Sequence, residues 1–254
     1  MIGRVGDHQV RDPSGCPNGA KVCSLADASA NTINSIFYAV TLSISPKKVL
    51  DAARNAGITT MRDEGGAPVS LTATESSRLV PSLFDYDLTL GRYPVSVLDQ
   101  ANAMATFAAK GRAAGAHFVL KVMAGTQVIY GEALPAPNTK ALLTTGAMAD
   151  LDWTLSQSQV AGLKGDGPSA GMAGFAPAEA ANPTDGWMIG YTPQLGMAVW
   201  LGGRSTLDRS NNLAAQIYQA FMHSAPSTMG LPAAEPFPPK ANIGNAFPDG
   251  AVAG

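Results

Sequence analysis

The chain has 254 residues, of which 46% are hydrophobic and 14% are charged, and its formal net charge is −2. This length and apolar content favour one large domain with a full core and argue against a disordered chain. The balanced charge argues against nucleic-acid binding, and no apolar stretch predicts a transmembrane segment. The first twelve residues lack the apolar core of a signal peptide, so we expect no export signal in this chain.

The two cysteines, Cys16 and Cys23, lie in a loop rich in glycine, proline and asparagine. Their proximity favours a small disulfide, which would imply an oxidising compartment and stabilise the fold by about 2–3 kcal/mol. Two free thiols in a cytosolic loop are the alternative. Two cysteines and three scattered histidines do not make a metal site. We therefore expect no metal and no cofactor.

The first half of the chain is predicted to be helical after a loop-like start. Ser24, with Asp27 three residues later, has the pattern of a helix start, and the apolar side of this helix continues to Phe37. Ser45 is predicted to cap a second helix, which begins with a proline and stops at Gly57.

The middle of the chain mixes element types. Residues 58–92 are predicted to be irregular, and residues 96–111 form a helix with an apolar stripe. Residues 117–123 and 127–130 alternate like the strands of a hairpin. A helix is predicted at residues 139–148.

The stretch Asp185–Gly203 is the most apolar hairpin of the chain. Trp187–Tyr191 and Ala198–Leu201 are predicted to be its strands, and Pro193 favours a turn between them. A hairpin of this composition belongs in the middle of a sheet. A loop rich in glycine, alanine and proline is predicted before it, at residues 161–184.

An amphipathic helix is predicted at residues 211–223, followed by a tail rich in proline, glycine and alanine. We therefore expect one domain at residues 1–223 and an extended tail at residues 224–254.

The sequence DGWMIGYTPQLGMAVWLGG resembles the signature hairpin of penicillin-binding protein transpeptidase domains, most closely those of class A (bifunctional) peptidoglycan synthases. SLADASANTINSIFYAV and the segment ending in TFAAKG are similar to two helices of the same family, and the resemblance covers residues 14–244. It implies an α/β (α+β) fold with a mainly antiparallel sheet flanked by helices. It also implies a role in peptidoglycan cross-linking, a stem peptide or β-lactam as ligand, and an extracytoplasmic location on the cell-wall side of the membrane.

The family acylates a serine that is paired with a lysine in a Ser-x-x-Lys motif, so that the amine can take the hydroxyl proton. The sequence contains one literal match, which begins at Ser45 and ends at Lys48, at a position where the family has no catalytic role. We interpret Ser45 as a helix cap and keep a displaced nucleophile as an alternative. The segment before Ser24 is too short to hold the motif where the family has it.

The family's second motif, Ser-x-Asn, is matched by Thr32 and Asn34. Threonine keeps a hydroxyl that could relay a proton, although its side chain is stiffer than that of serine. The literal pair Ser29 and Asn31 lies one helical turn earlier and competes for the role. A hydroxyl and an amide on a helix are, without the alignment, only a solvated face or a cap.

The third motif, Lys-Thr/Ser-Gly, is expected after Ala161-Gly162, where Leu163-Lys164-Gly165-Asp166 stands. Lys164 and Gly165 are therefore the predicted substrate-binding residues of a degenerate motif that lacks the hydroxyl. The alternative is that Lys164 is an ordinary surface lysine.

Two hypotheses of function follow. The first is a transpeptidase-like domain that is catalytically inactive as this chain, because it lacks the nucleophile motif. The second is the C-terminal portion of a longer or split class A synthase that acts as an acyl-serine DD-transpeptidase. Helices missing from the nucleophile side would expose apolar surface, so we expect a partner chain or a homodimer.

Overall fold

The computed structural model of the protein describes residues 2–5, 8–12, 15–131, 141–158, 167–176, 183–203, 207–208 and 211–243. The strands are β1 (Ile2–Val5), β2 (His8–Arg11), β3 (Thr60–Arg62), β4 (Pro68–Ser70), β5 (Lys121–Ala124), β6 (Gln127–Gly131), β7 (Ala170–Ala176), β8 (Asp185–Tyr191) and β9 (Gly196–Gly202). The helices are α1 (Leu25–Ala30), α2 (Asn34–Ile44), α3 (Pro46–Ala56), α4 (Ser76–Leu79), α5 (Val97–Ala108), α6 (Thr145–Ser156) and α7 (Leu213–Thr228). Short 3₁₀ helices occupy Pro17–Gly19 and Tyr86–Leu90.

The largest sheet of the described chain has three antiparallel strands in the order β7-β8-β9. Met172 of β7 pairs with Ile189 of β8, which pairs in turn with Ala198 of β9. Met188 and Tyr191 of the central strand are completely buried. The prediction of a hairpin inside a sheet is confirmed, and helices with antiparallel sheets make the predicted α+β fold.

Helices cover both faces of this sheet. On one face, Met188 and Val199 form a buried cluster with Tyr218 of α7. On the other face, α5 lies directly against β9. The two elements are so close that a Cβ at Gly196 would overlap the backbone of Ala105. The sheet is therefore the middle layer between α5 and α7.

The predicted helix ends in the first half are mostly confirmed. Ser24 and Asp27 form a reciprocal capping box at the start of α1, and the Ser96 hydroxyl accepts a backbone hydrogen bond of 2.9 Å at the start of α5. Gly57 ends α3 in the left-handed conformation with φ +114°. Ser45 occupies the predicted N-cap position of α3 and Pro46 begins the helix, but the Ser45 side chain makes no capping hydrogen bond.

Other predicted elements differ from the structure. The helix that begins after Ser24 does not reach Phe37, because a turn separates α1 from α2. The predicted loop at residues 161–184 contains β7, whose backbone pairs with β8. The helix predicted at residues 139–148 begins later as α6, because Thr144 caps it by accepting a hydrogen bond from a backbone N–H. The last helix continues to Thr228.

The segment 231–243 forms no helix or strand and contacts the rest of the described chain. The carboxylate of Asp150 on α6 accepts hydrogen bonds from the backbone N–H groups of Ala241, Asn242 and Ile243, at 2.7, 2.8 and 2.9 Å. Further contacts join Gln194 to the Pro232 carbonyl, Phe237 to Tyr191, and Lys240 to the ring of Trp153. The predicted extended tail is thus attached to α6 and the hairpin. The predicted domain boundary at residue 223 stays a prediction.

We expect Asp150→Asn to release this segment. The backbone N–H of Ile243 and its neighbours hold the pKa of Asp150 below its usual range, so the attachment is complete above the unfolded-state pKa and is lost as the pH falls through the folded-state pKa. Hydrogen exchange of the amides at residues 241–243 should become fast in the variant at neutral pH, and in the original protein only in acid. Asp63→Asn, which changes a turn elsewhere, is the control; unchanged exchange in Asp150→Asn would contradict the attachment.

A buried hydrogen bond joins α6 to the central strand. The hydroxyl of Tyr191 donates to Oδ1 of Asp152 at 2.6 Å, and both side chains are buried. Burial raises the pKa of Asp152, and the bond from Tyr191 opposes that rise. Burial also raises the pKa of Tyr191, and the neighbouring Asp152 adds to the rise. The phenol therefore remains a donor, and the carboxyl is stabilised as its acceptor.

We expect Tyr191→Phe to lower the free energy of unfolding by about 1–3 kcal/mol, because it leaves a buried carboxyl without its donor. The raised pKa of Asp152 means that the folded protein binds this proton more tightly than the unfolded chain does. Stability from this group therefore falls as the pH rises through the two pKa values, and Tyr191→Phe should move that loss to higher pH. Urea unfolding across pH 4–8 measures both effects, with Tyr130→Phe on the exposed hairpin as control. An equal effect of both variants would contradict the role of the bond.

Candidate functional site

A cavity of about 850 Å³ lies between the α1–α2 turn and strand β7. Leu151 and Leu155 of α6 line it, together with Trp187 and Ile189 of β8. The cavity therefore borders the central sheet, the helix bonded to that sheet, and the turn that carries the predicted second motif.

Thr32 and Asn34, the predicted second-motif residues, both line this cavity. The end of α1 places them there: the N–H of Ile33 donates to the Ala28 carbonyl at 2.9 Å, and the N–H of Thr32 donates to the Ser29 carbonyl at 3.3 Å. This is the Schellman arrangement of a helix end, in which glycine usually occupies the left-handed position.

Thr32 occupies that left-handed position with φ +53°. A β-branched residue rarely adopts this conformation, which costs of order 1–3 kcal/mol. Backbone strain of this kind tends to concentrate at functional sites. The turn directs the chain so that Asn34 begins α2 beside Thr32.

The competing pair, Ser29 and Asn31, also lines the cavity. The Ser29 hydroxyl donates to the Leu25 carbonyl at 2.9 Å, and the Asn31 amide donates to the Asp27 carbonyl at 2.9 Å. Both side chains thus bond the backbone of their own helix. The structure brings all four candidate residues to one cavity.

The predicted third-motif residues, Lys164 and Gly165, lie outside the described residues and stay a prediction. The described strand that borders the cavity is β7, through Met172, Ala173 and Gly174 together with Phe175. Gly174 pairs with Trp187 of β8. Strand β7 thus forms the wall of the cavity on the sheet side.

Sequence reasoning did not find Met172, Ala173 and Gly174. A signal was present, because Ala170-Gly171 repeats the Ala161-Gly162 pair after which the third motif is expected, and it stands nearer to the hairpin. Read from the second pair, the position of Lys-Thr/Ser-Gly is occupied by Met-Ala-Gly. In that reading Gly174 would match the glycine of the motif, and Met172 and Ala173 would stand at the positions of its lysine and its hydroxyl residue.

The described residues that line the cavity include no Lys, Arg, His, Asp or Glu. Hydroxyl and amide groups lie on the side of the α1–α2 turn, and apolar side chains lie on the side of the sheet and α6. This arrangement can bind and orient a ligand. It holds no nucleophile beside a base, and no group of three or more metal-binding side chains occurs among the described residues.

Ser45, the alternative nucleophile, lies at the junction of α2 and α3 with φ +83° and is not among the residues that line the cavity. Lys47 beside it pairs with Asp51 at 2.6 Å. The structure therefore does not bring Ser45 to Thr32 and Asn34.

The sulfur atoms of Cys16 and Cys23 are bonded in the structure, with their Cα atoms 5.6 Å apart. The bridge closes the loop that precedes the capping box of α1. Among the described residues, no helix is both long and apolar enough to cross a bilayer.

Penicillin-binding protein 1A of Mycobacterium tuberculosis is 33% identical to this chain over an alignment of 193 residues, and the match covers 72% of the chain. The protein of the same name from Mycolicibacterium smegmatis gives the same identity over the same length. The chain belongs to the penicillin-binding protein transpeptidase family. Its relatives are class A proteins, as the resemblance implied, and it spans about a quarter of their length, 23% and 24%. No family model matches the chain.

Solved structures agree with this assignment. The penicillin-binding protein PonA1 of M. tuberculosis superposes with a TM-score of 0.73 at 25% identity, covering 94% of this chain and 64% of that one. PonA1 in complex with penicillin V gives 0.67 at 26% identity, covering 87% and 60%. The imipenem acyl-enzyme of penicillin-binding protein A from M. tuberculosis shares the fold, with a TM-score of 0.65 at 19% identity over 86% and 52%.

We expect Thr32→Asn to raise the free energy of unfolding by about 1 kcal/mol, because asparagine tolerates the left-handed conformation better than threonine. Thr72→Asn, at an exposed turn with negative φ, is the matched control and should change stability little. Urea denaturation at neutral pH measures both variants. A loss of stability in Thr32→Asn would show that the threonine side chain makes a contact worth more than the strain.

Proposed function

We propose that this chain is a transpeptidase-like domain of the peptidoglycan cross-linking family that binds ligand and does not catalyse acyl transfer by itself. The observation that carries the proposal is strand β7, which presents Met172, Ala173 and Gly174 to the cavity bordered by Thr32 and Asn34. A hydroxyl and an amide remain on one side. The cation that the family places opposite them is replaced by a thioether.

The chemistry of acylation supports this proposal. A covalent nucleophile needs an adjacent base and an electrostatic site for the developing negative charge. The described lining residues supply hydroxyl and amide groups and no titratable base. The single Ser-x-x-Lys match, at Ser45, lies outside the cavity lining. Loss of the nucleophile leaves only the contribution of binding to any residual rate.

We expect no mass addition when the purified protein is incubated with benzylpenicillin and examined by intact-mass spectrometry. The original protein and Ser45→Ala should both keep their mass, and the penicillin V complex of the relative PonA1 makes that protein the positive control. A one-to-one adduct on the original protein that disappears in Ser45→Ala would overturn the proposal and assign the nucleophile to Ser45. An adduct retained in Ser45→Ala would overturn it too, and peptide mapping would then locate the serine.

The second candidate function is the C-terminal portion of a longer or split class A synthase acting as an acyl-serine DD-transpeptidase. The observation that favours it is the length of the relatives, of which this chain spans 23% and 24%. In that arrangement Thr32 and Asn34 complete a site whose serine lies elsewhere. The mass of the native protein in its own cells discriminates the two functions: a species well above 26.1 kDa that penicillin labels would favour the synthase.

An extracytoplasmic location on the cell-wall side of the membrane is part of the proposal. The family assignment and the bonded pair Cys16 and Cys23 support it, because disulfides persist in oxidising compartments. A stem peptide of peptidoglycan or a β-lactam is the family ligand to test first, and because both carry a carboxylate, weak binding of either is what the uncharged lining of the described residues predicts. A partner chain or a homodimer stays a proposal, supported by exposed apolar side chains in and just before the β5–β6 hairpin, such as Ile129 and Phe118.

A further inference from the structure

The cavity beside Thr32 has two chemically different sides. Its apolar side is formed by Met172, Phe175, Trp187, Ile189 and Leu155. Its polar side carries hydroxyl and amide groups of the α1–α2 turn and of the start of α7. All of these groups are uncharged, so the described lining offers hydrogen bonds and apolar surface to a ligand and no counter-ion.

The size of the cavity suits a small ligand. Ligand pockets in proteins usually measure about 300–1,000 Å³ and combine a mostly apolar lining with a few polar groups that orient the ligand. The volume here, about 850 Å³, lies within that range. Gly174 leaves the middle of the β7 wall open, because a Cβ at this position would meet no atom within 4 Å.

We propose that this cavity selects an uncharged, amide-bearing ligand with an apolar body, and that Met172 makes it reject carboxylates and other anions. The inference rests on the proposed function, since it names the ligand class of the same site. An anion that moves from water into a cavity loses its hydration shell, and a lining without a cation offers no ion pair to replace it. A neutral amide loses less, because the hydroxyl and amide groups of the turn can accept and donate to it.

Two fluorescent probes of the same shape test the charge selection. N-phenyl-1-naphthylamine is neutral, and 8-anilino-1-naphthalenesulfonate is the same ring system with one sulfonate. We expect the neutral probe to bind with a dissociation constant about tenfold lower or more, which is about 1.4 kcal/mol. Energy transfer from Trp187 should report its binding. Equal affinity, or tighter binding of the sulfonate, would overturn the inference.

Gly174→Leu tests whether the neutral probe binds in this cavity. The new side chain enters the open space beside β7, so we expect the affinity of the neutral probe to fall about tenfold. Gly115→Leu is the matched control. A Cβ at this glycine would also meet no atom within 4 Å, and Gly115 does not line the cavity. Unchanged affinity in Gly174→Leu would place the probe elsewhere and overturn the inference, as would loss of binding in Phe118→Asp, at an exposed side chain just before β5.

Met172→Lys tests the residue that sets the selection. A cation on β7 should reverse the preference, so that the sulfonate binds more tightly than the neutral probe. Met229→Lys, at an exposed methionine outside the cavity, is the control for added charge and should leave the preference unchanged. The same response in both variants would show that net charge, and not Met172, governs the binding.

Lys164→Met separates this inference from the predicted third motif at Lys164 and Gly165. We expect no change in either probe. If the original protein prefers the sulfonate and Lys164→Met removes that preference, Lys164 supplies the cation and the inference is wrong. The proposed absence of acylation is judged by the mass of the benzylpenicillin-treated protein, so the two proposals fail on different measurements.

Discussion

The hydrogen bond between Tyr191 and Asp152 is the contact on which the site depends. It joins the end of the central strand to α6, and both groups are buried, so neither has water as an alternative partner. Phe107 of α5 and Phe237 of the C-terminal segment pack on the same phenol ring, with centroids 5.9 and 5.6 Å away. Because α6 lines the cavity and β8 pairs with β7, this bond joins two of the elements that border the cavity.

The opposite wall depends on a helix end without glycine. Thr32 takes the left-handed position of a Schellman turn, and the strain is compensated by the two backbone bonds that end α1. Asp12 supports the same region, since its carboxylate accepts from the backbone N–H and the hydroxyl of Ser35 at 2.8 and 2.7 Å. The polar side of the cavity is therefore positioned by backbone geometry at the α1–α2 junction and not by the packing of α2 alone.

The sequence predicted those elements whose signals are local. The hairpin of β8 and β9 was found because aromatic and β-branched residues flank a proline turn, and α1 and α5 were found through their capping residues Ser24 and Ser96. Strand β7 was not predicted, because it contains glycine and alanine in place of β-branched residues. Its extended state comes from pairing with β8, which is a tertiary effect. The break between α1 and α2 was missed because threonine stands where a stop signal would be glycine.

The contrast between local sequence signals and tertiary pairing also applies to the cavity. The pairing of β7 with β8 places residue 172 opposite Ile189 whatever its side chain is, so the backbone fixes the position of this residue and not its chemistry. A lysine there would supply a cation to the cavity, whereas the methionine supplies apolar surface to the same volume. The fold therefore accounts for where the cavity lies in this protein. The Met172 side chain contributes to the chemistry of the cavity lining, and a substitution there changes that chemistry without any change in topology.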